Sequence, residues 1–170
     1  AEASKRSRWR RALRYLIDWT SRWLHTPDGE VGWLLPAVWA GWREARRARP
    51  DVIVTTAPVC TAHVAGTMLS FLLRVPLVAD FRDPWVGSAF RTVPYVAHRW
   101  VNAWLERRVV SRATRITCAW DGIRKHLVAR YPRHAAKITT ILNGFDPAEL
   151  EPVPAQRLKV PGPVFLHAGG

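Results

Sequence analysis

The run Asp80-Phe81-Arg82-Asp83-Pro84-Trp85 places two carboxylates, a guanidinium and an indole within six residues. Carboxylates engage hydroxyl groups and a guanidinium fork engages phosphate, so the cluster suits a polyhydroxylated, phosphorylated ligand. It follows the apolar run Val75-Pro76-Leu77-Val78-Ala79, which reads as a buried strand. Pro84 stops that strand and disfavours helix at Asp83, so the polar residues fall in a loop. In a parallel α/β sheet, the carboxyl ends of the strands are where ligands gather.

The elements that must position this loop alternate from Asp51 onward. Val52–Thr56 is a β-branched strand, Ala62–Leu73 a mostly buried helix, and Leu77–Asp80 the next strand. Val96–Val110 is predicted helical, because Ala97, Trp100, Val101, Trp104 and Leu105 recur at three- and four-residue steps and set the apolar face. Thr114–Cys118 is a strand, Asp121–Arg130 a helix capped by Asp121, and Ile138–Leu142 a strand that ends at the turn signal Asn143-Gly144. The alternation predicts a parallel sheet with helical crossovers. Upstream, residues 5–24 form a basic amphipathic helix, with Arg6, Arg10 and Arg14 on one side and Trp9, Leu13 and Leu16 on another. Leu35–Arg47 is a second helix, with Trp39 and Trp42 expected to face the core.

In such a sheet all carboxyl strand ends share one edge. That edge collects Thr55 and Thr56, then Asp80 to Trp85, then Cys118 to Trp120, then Asn143 and Gly144, which are expected to face one cleft. His63, just past the first strand, either reaches a ligand or packs the following helix. Structural roles stay open for the rest. Asp80 and Asp83 can fix the loop through backbone hydrogen bonds, Arg82 can pair with one of them, Asn143-Gly144 can be a turn, and Trp85 can be core. Asp-x-x-Asp with no third carboxylate or His nearby is not a metal site. The chain contains no G-x-G-x-x-G, P-loop, G-x-S-x-G or H-E-x-x-H motif.

With 170 residues and 48% hydrophobic content, the chain is long and apolar enough for a core and is not a disordered one. A net charge of +13 implies an anionic partner: nucleic acid, anionic lipid or a phosphorylated substrate. The two cysteines, Cys60 and Cys118, lie far apart and show no zinc or disulfide pattern. Residues 52–73 lack charged side chains. Pro58 and a scatter of Thr, Ser and His rule against a membrane span there. No signal peptide is legible in the charged start. The absence of an initiator Met and the close on Phe165-Leu166-His167-Ala168-Gly169-Gly170, a strand entering a Gly turn, lead us to expect a chain truncated at both ends.

The ordered set of motifs resembles the N-terminal domain of glycosyltransferase family 4. It comprises Pro50 to Pro58, Ala62-His63-Val64-Ala65-Gly66, Pro76 through Trp85, and Asn143-Gly144-Phe145-Asp146, with Pro27-Asp28 and Gly32-Trp33 upstream and Phe165 to Gly169 at the end. The resemblance covers residues 26–170. It implies a GT-B fold, in which two Rossmann-like domains face a cleft. The N-terminal domain takes the acceptor, the C-terminal domain takes the nucleotide-sugar donor, and transfer retains the anomeric configuration with no metal and no cofactor. It implies residues 26–150 as the acceptor domain, 151–163 as a Pro-rich linker and 164–170 as the first strand of a donor domain. By position, Thr56, His63, Asp80, Arg82 and Asp83 would line the acceptor side, Asn143 and Gly144 the hinge, and Gly169 the donor diphosphate. Arg82 stands where many family members carry a His. The paired-glutamate donor motif and the usual first strand with its Gly-rich loop are missing from this stretch, so the isolated chain is expected to be inactive.

The reading is therefore an acceptor-binding half of a glycosyltransferase acting on a cell-surface polysaccharide or glycolipid precursor. Its partners would be a nucleotide-sugar and a glycan or lipid-linked acceptor, on the cytoplasmic side. Arg6, Trp9, Arg10 and Arg14 suit contact with an anionic membrane surface. Alternatives are a GT-B sugar-nucleotide epimerase, or a basic module binding nucleic acid or membrane without catalysis. Nucleic acid is disfavoured by the lack of a recognition motif.

Overall fold

Short runs rich in β-branched and small apolar residues build one all-parallel sheet: β1 Ile53–Ala57, β2 Leu77–Phe81, β3 Arg115–Cys118 and β4 Ile138–Thr140. The strands lie in the order β1-β2-β3-β4. Each crossover carries a helix: α2 Cys60–Leu73, α3 Val96–Arg112 and α4 Asp121–Arg130. A further helix, α1 Leu34–Ala45, precedes β1. The computed structural model describes residues 26–88, 95–144 and 146–147. The basic helix expected over residues 5–24, the linker over 151–163 and the closing strand with Gly169 lie outside them. The α/β, Rossmann-like sheet flanked by helices is the fold that the alternation predicts.

Side chains alternate between the two faces of each strand. Leu77, Ala79, Phe81, Ile116 and Cys118 point into one face and are fully buried, joined there by Val110 of α3 and by Ile123 and Leu127 of α4. The other face carries Val54, Thr56, Val78, Asp80, Thr117 and Thr139, and Val54 is 65% exposed. Helix α2 approaches β1 closely at Gly66. A Cβ there would stand 2.3 Å from Thr55 Cγ2, so only glycine fits. Val59, which precedes α2, offers no side-chain cap. Asp28 supplies one from far upstream, accepting from the Thr61 N–H at 2.8 Å and from the Thr61 hydroxyl at 2.7 Å.

Several local expectations are corrected. Helix α3 is rotated from the expected setting: His98, Asn102 and Glu106 are buried beside Val109 and Val110, and Leu105 packs against the core, while Trp100 is 74% and Trp104 53% exposed. Its inner face meets hydrogen-bonding groups of the loop after β2 as well as the apolar core, so Asn102 and Glu106 turn inward with Val109 and Val110. Trp39 and Trp42 of α1 also lie outside, each stacked by an arginine, Arg43 at 4.7 Å and Arg46 at 5.0 Å from the ring centroid. The residue capping α4 is Trp120, without a side-chain bond. Asp121 is the first helical residue and pairs with Lys125 at 2.9 Å and Arg124 at 3.6 Å, one turn on. Strand β4 stops at Thr140 instead of Leu142, because the Ile141 N–H to Cys118 carbonyl bond, at 2.9 Å, is its last rung.

Candidate functional site

Parallel register lines up Thr56, Asp80 and Thr117 across three adjacent strands. All three point to the face away from the helices, one residue short of each strand's end. Asp80 joins them: Thr56 Oγ1 donates to Oδ2 at 2.9 Å and Thr117 Oγ1 donates to Oδ1 at 2.5 Å. Both oxygens keep unused lone-pair positions, so the carboxylate is oriented but not saturated. Past the end of β2, Arg82 Nη2 donates to Asn143 Oδ1 at 2.8 Å and ties the loop after β2 to the segment after β4. Asp83, Asn143 and Gly144 are exposed beside it. Thr56, Asp80, Arg82, Asp83, Asn143 and Gly144 thus share the carboxyl edge of the sheet.

His63 does not join them. It sits in the first turns of α2, fully buried, with Nδ1 2.7 Å from the hydroxyl of Thr55, not Thr56. Its ring packs on Phe81 at 4.6 Å and on Trp85 at 6.5 Å, and Nε2 has no hydrogen-bond partner. Burial lowers its pKa to about 4, against the upward pull of the Asp80 charge, so the ring is neutral near pH 7. The Cys118 thiol is likewise buried, and its pKa is pushed up to about 12, first by burial and then by Asp80, with Arg124 opposing. A neutral, enclosed imidazole and a protonated thiol leave the edge with hydroxyl, carboxylate, guanidinium and amide groups as its working surface.

The loop is latched from behind by polar side chains that the sequence reading did not single out. The indole N–H of buried Trp85 donates to Asn102 Oδ1 at 2.7 Å, and Asn102 Nδ2 donates to the His98 carbonyl at 2.8 Å. Glu106 is fully buried and accepts three bonds: the Val86 N–H at 2.9 Å, the Tyr131 hydroxyl at 2.8 Å and Arg130 Nε at 3.1 Å. His126 Nε2 lies 2.8 Å from the Val86 carbonyl. Gly87, at φ +86°, turns the chain where the His126 ring leaves little room. Burial and the Glu106 charge push the Tyr131 pKa up to about 12, so its hydroxyl remains a donor. The sequence held one signal for this latch. Glu106 and Asp121 are the only acids between Arg91 and Lys137, and an acid amid arginines on a helix calls for a partner.

Among the described residues, no group of three His, Cys, Asp or Glu side chains stands close enough to hold a metal ion. A Rossmann-like sheet with a latched polar loop at its carboxyl edge makes this an α/β domain. Residues 4–149 match Glycosyltransferase Family 4, and the chain belongs to that family. A search of curated proteins finds no match.

Proposed function

We propose that this chain is the acceptor-binding half of a retaining glycosyltransferase. The enzyme moves a sugar from a nucleotide-sugar donor to a cell-surface polysaccharide or glycolipid acceptor. The observation that carries this reading is Asp80, aimed by hydroxyls of two neighbouring strands at the sheet edge of a family 4 chain. In this reading the Asp80 carboxylate accepts from acceptor hydroxyls, while Arg82 and Asp83 contact the acceptor from the loop. Asn143 and Gly144 lie at the hinge toward the donor side, and Gly169 lies near the donor diphosphate. The donor is a substrate, and no cofactor is required. Arg6, Trp9, Arg10 and Arg14 meet an anionic membrane on its cytoplasmic face.

The test is sugar transfer measured with the chain joined to its donor-binding half. Asp80→Asn and Arg82→Ala are expected to raise KM for the acceptor about tenfold or more, as loss of a charge-assisted hydrogen bond does, and to leave KM for the donor unchanged. The chain by itself is expected to transfer no sugar. Wild-type acceptor KM in both variants, or transfer by the isolated chain, overturns the reading.

A further inference from the structure

The setting of α3 puts an aromatic ridge on the surface. Val96, Trp100 and Trp104 follow one another at four-residue steps, all exposed. Across from them, Phe71 and Leu72 of α2 are exposed as well. Between the two helices runs a groove of about 730 Å³, lined by Val64, Met68, Phe71, Trp104, Leu105 and Val109. An apolar surface of this kind, on a domain whose core is already closed by other residues, marks an interaction site.

Among the described residues of α2 and α3, the charge around the ridge has one sign. Arg99, Arg107, Arg108 and Arg112 are exposed on α3. The only acid of α3, Glu106, is turned inward, and α2 carries no acid at all. Arg108 stacks over the Trp104 ring at 5.2 Å. Tryptophans flanked only by arginines match one environment closely: rings at the boundary between headgroups and acyl chains, and guanidinium groups on lipid phosphates. The ridge runs along the helix, so the helix would lie in the plane of the membrane surface. No described helix is long and apolar enough to cross a membrane.

We propose that the α2–α3 face docks on an anionic lipid bilayer, with Trp100 and Trp104 set at the headgroup boundary. The docking itself uses residues different from the N-terminal arginines.

The test is co-sedimentation of the full chain with vesicles of phosphatidylcholine and phosphatidylglycerol in equal parts, and with phosphatidylcholine alone. Binding is expected to the anionic vesicles only. Trp100→Ser with Trp104→Ser should lower the partition about tenfold through lost apolar burial. Arg99→Ser with Arg107→Ser should lower it roughly fivefold per arginine. All four side chains are exposed, and an unchanged melting temperature verifies the fold. The same variants are repeated with Arg6, Arg10 and Arg14 changed to Ser. Losses that persist there support α2–α3 docking whatever becomes of the N-terminal contact. Partition untouched by the Trp pair in both backgrounds overturns the docking proposal, even where the N-terminal changes abolish binding. Failure of the unaltered chain to bind anionic vesicles overturns both. A dimer that the Trp pair dissolves, with no vesicle binding, assigns the face to a second copy and also overturns the proposal.

Discussion

Between Thr55, Phe81 and Trp85, the imidazole of His63 is fully buried, and that burial lowers its pKa to about 4 against the attraction of Asp80. An unfolded His titrates near 6.5. The unfolded chain therefore binds more protons than the folded one as pH falls from 6.5 toward 4. Stability from this residue is at its highest above pH 6.5 and is lost across that window, by about 3 kcal/mol at its lower end. Urea unfolding at pH 7 and pH 4.5 should show a loss about 2–3 kcal/mol larger for the unaltered chain than for His63→Gln. Equal losses would refute the assignment. The sequence placed His63 just past a strand end but not which way the first turns of α2 point it. That direction comes from the partners Thr55 and Phe81, eight and eighteen positions away. Thr56, Asp80 and Asn143 were legible as residues of one edge, because parallel strands bring their ends together. Thr117 was not, because its role depends on register with Asp80.

Strands and helices were legible as elements because their periods of two and about three and a half are written in the chain. The orientation of α3 was not. Hydrophobic periodicity finds the apolar stripe and assumes that it faces inward. Here the inner neighbours are the Trp85 indole, the Val86 N–H and Tyr131, which need hydrogen-bonding partners, and Asn102 and Glu106 provide them. The α2–β1 contact makes the opposite case, for steric fit over polarity. Gly66→Ala would drive a methyl group into Thr55 Cγ2, an overpacking that costs about 1–3 kcal/mol. Thr55→Ser removes the obstructing methyl and keeps the hydroxyl beside His63. Thermal melts should therefore show the Gly66→Ala loss largely recovered in the double variant, and a purely additive loss would exclude the clash as its cause.

Over the whole molecule, Glu106 joins parts that are distant in the chain: the loop after β2, helix α3, the end of α4 and Tyr131 beyond it. Glu106→Ala leaves the Val86 N–H and the Tyr131 hydroxyl without their acceptor and Arg130 without its counter-charge. The side chain of Arg130 is 33% exposed, so water relieves part of that burden. A loss of about 3 kcal/mol in chemical denaturation is expected, at the lower end of what breaking a buried pair costs. A loss below about 1 kcal/mol would show that the latch is slack. None of this is periodic in sequence. Contacts spanning twenty or more positions follow from how the crossovers fold back over the sheet, which is why fold and family were legible and the latch was not.

The latch also separates two jobs within one loop. Trp85 and Val86 are gripped from the protein interior, whereas Arg82 and Asp83 stand exposed at the tip, and among the described residues the one side chain that Arg82 hydrogen-bonds is Asn143. Substitutions at the tip leave the anchoring bonds in place. Such a loop is modular: the chemical character of its tip can change while the bonds beneath it hold the scaffold in place.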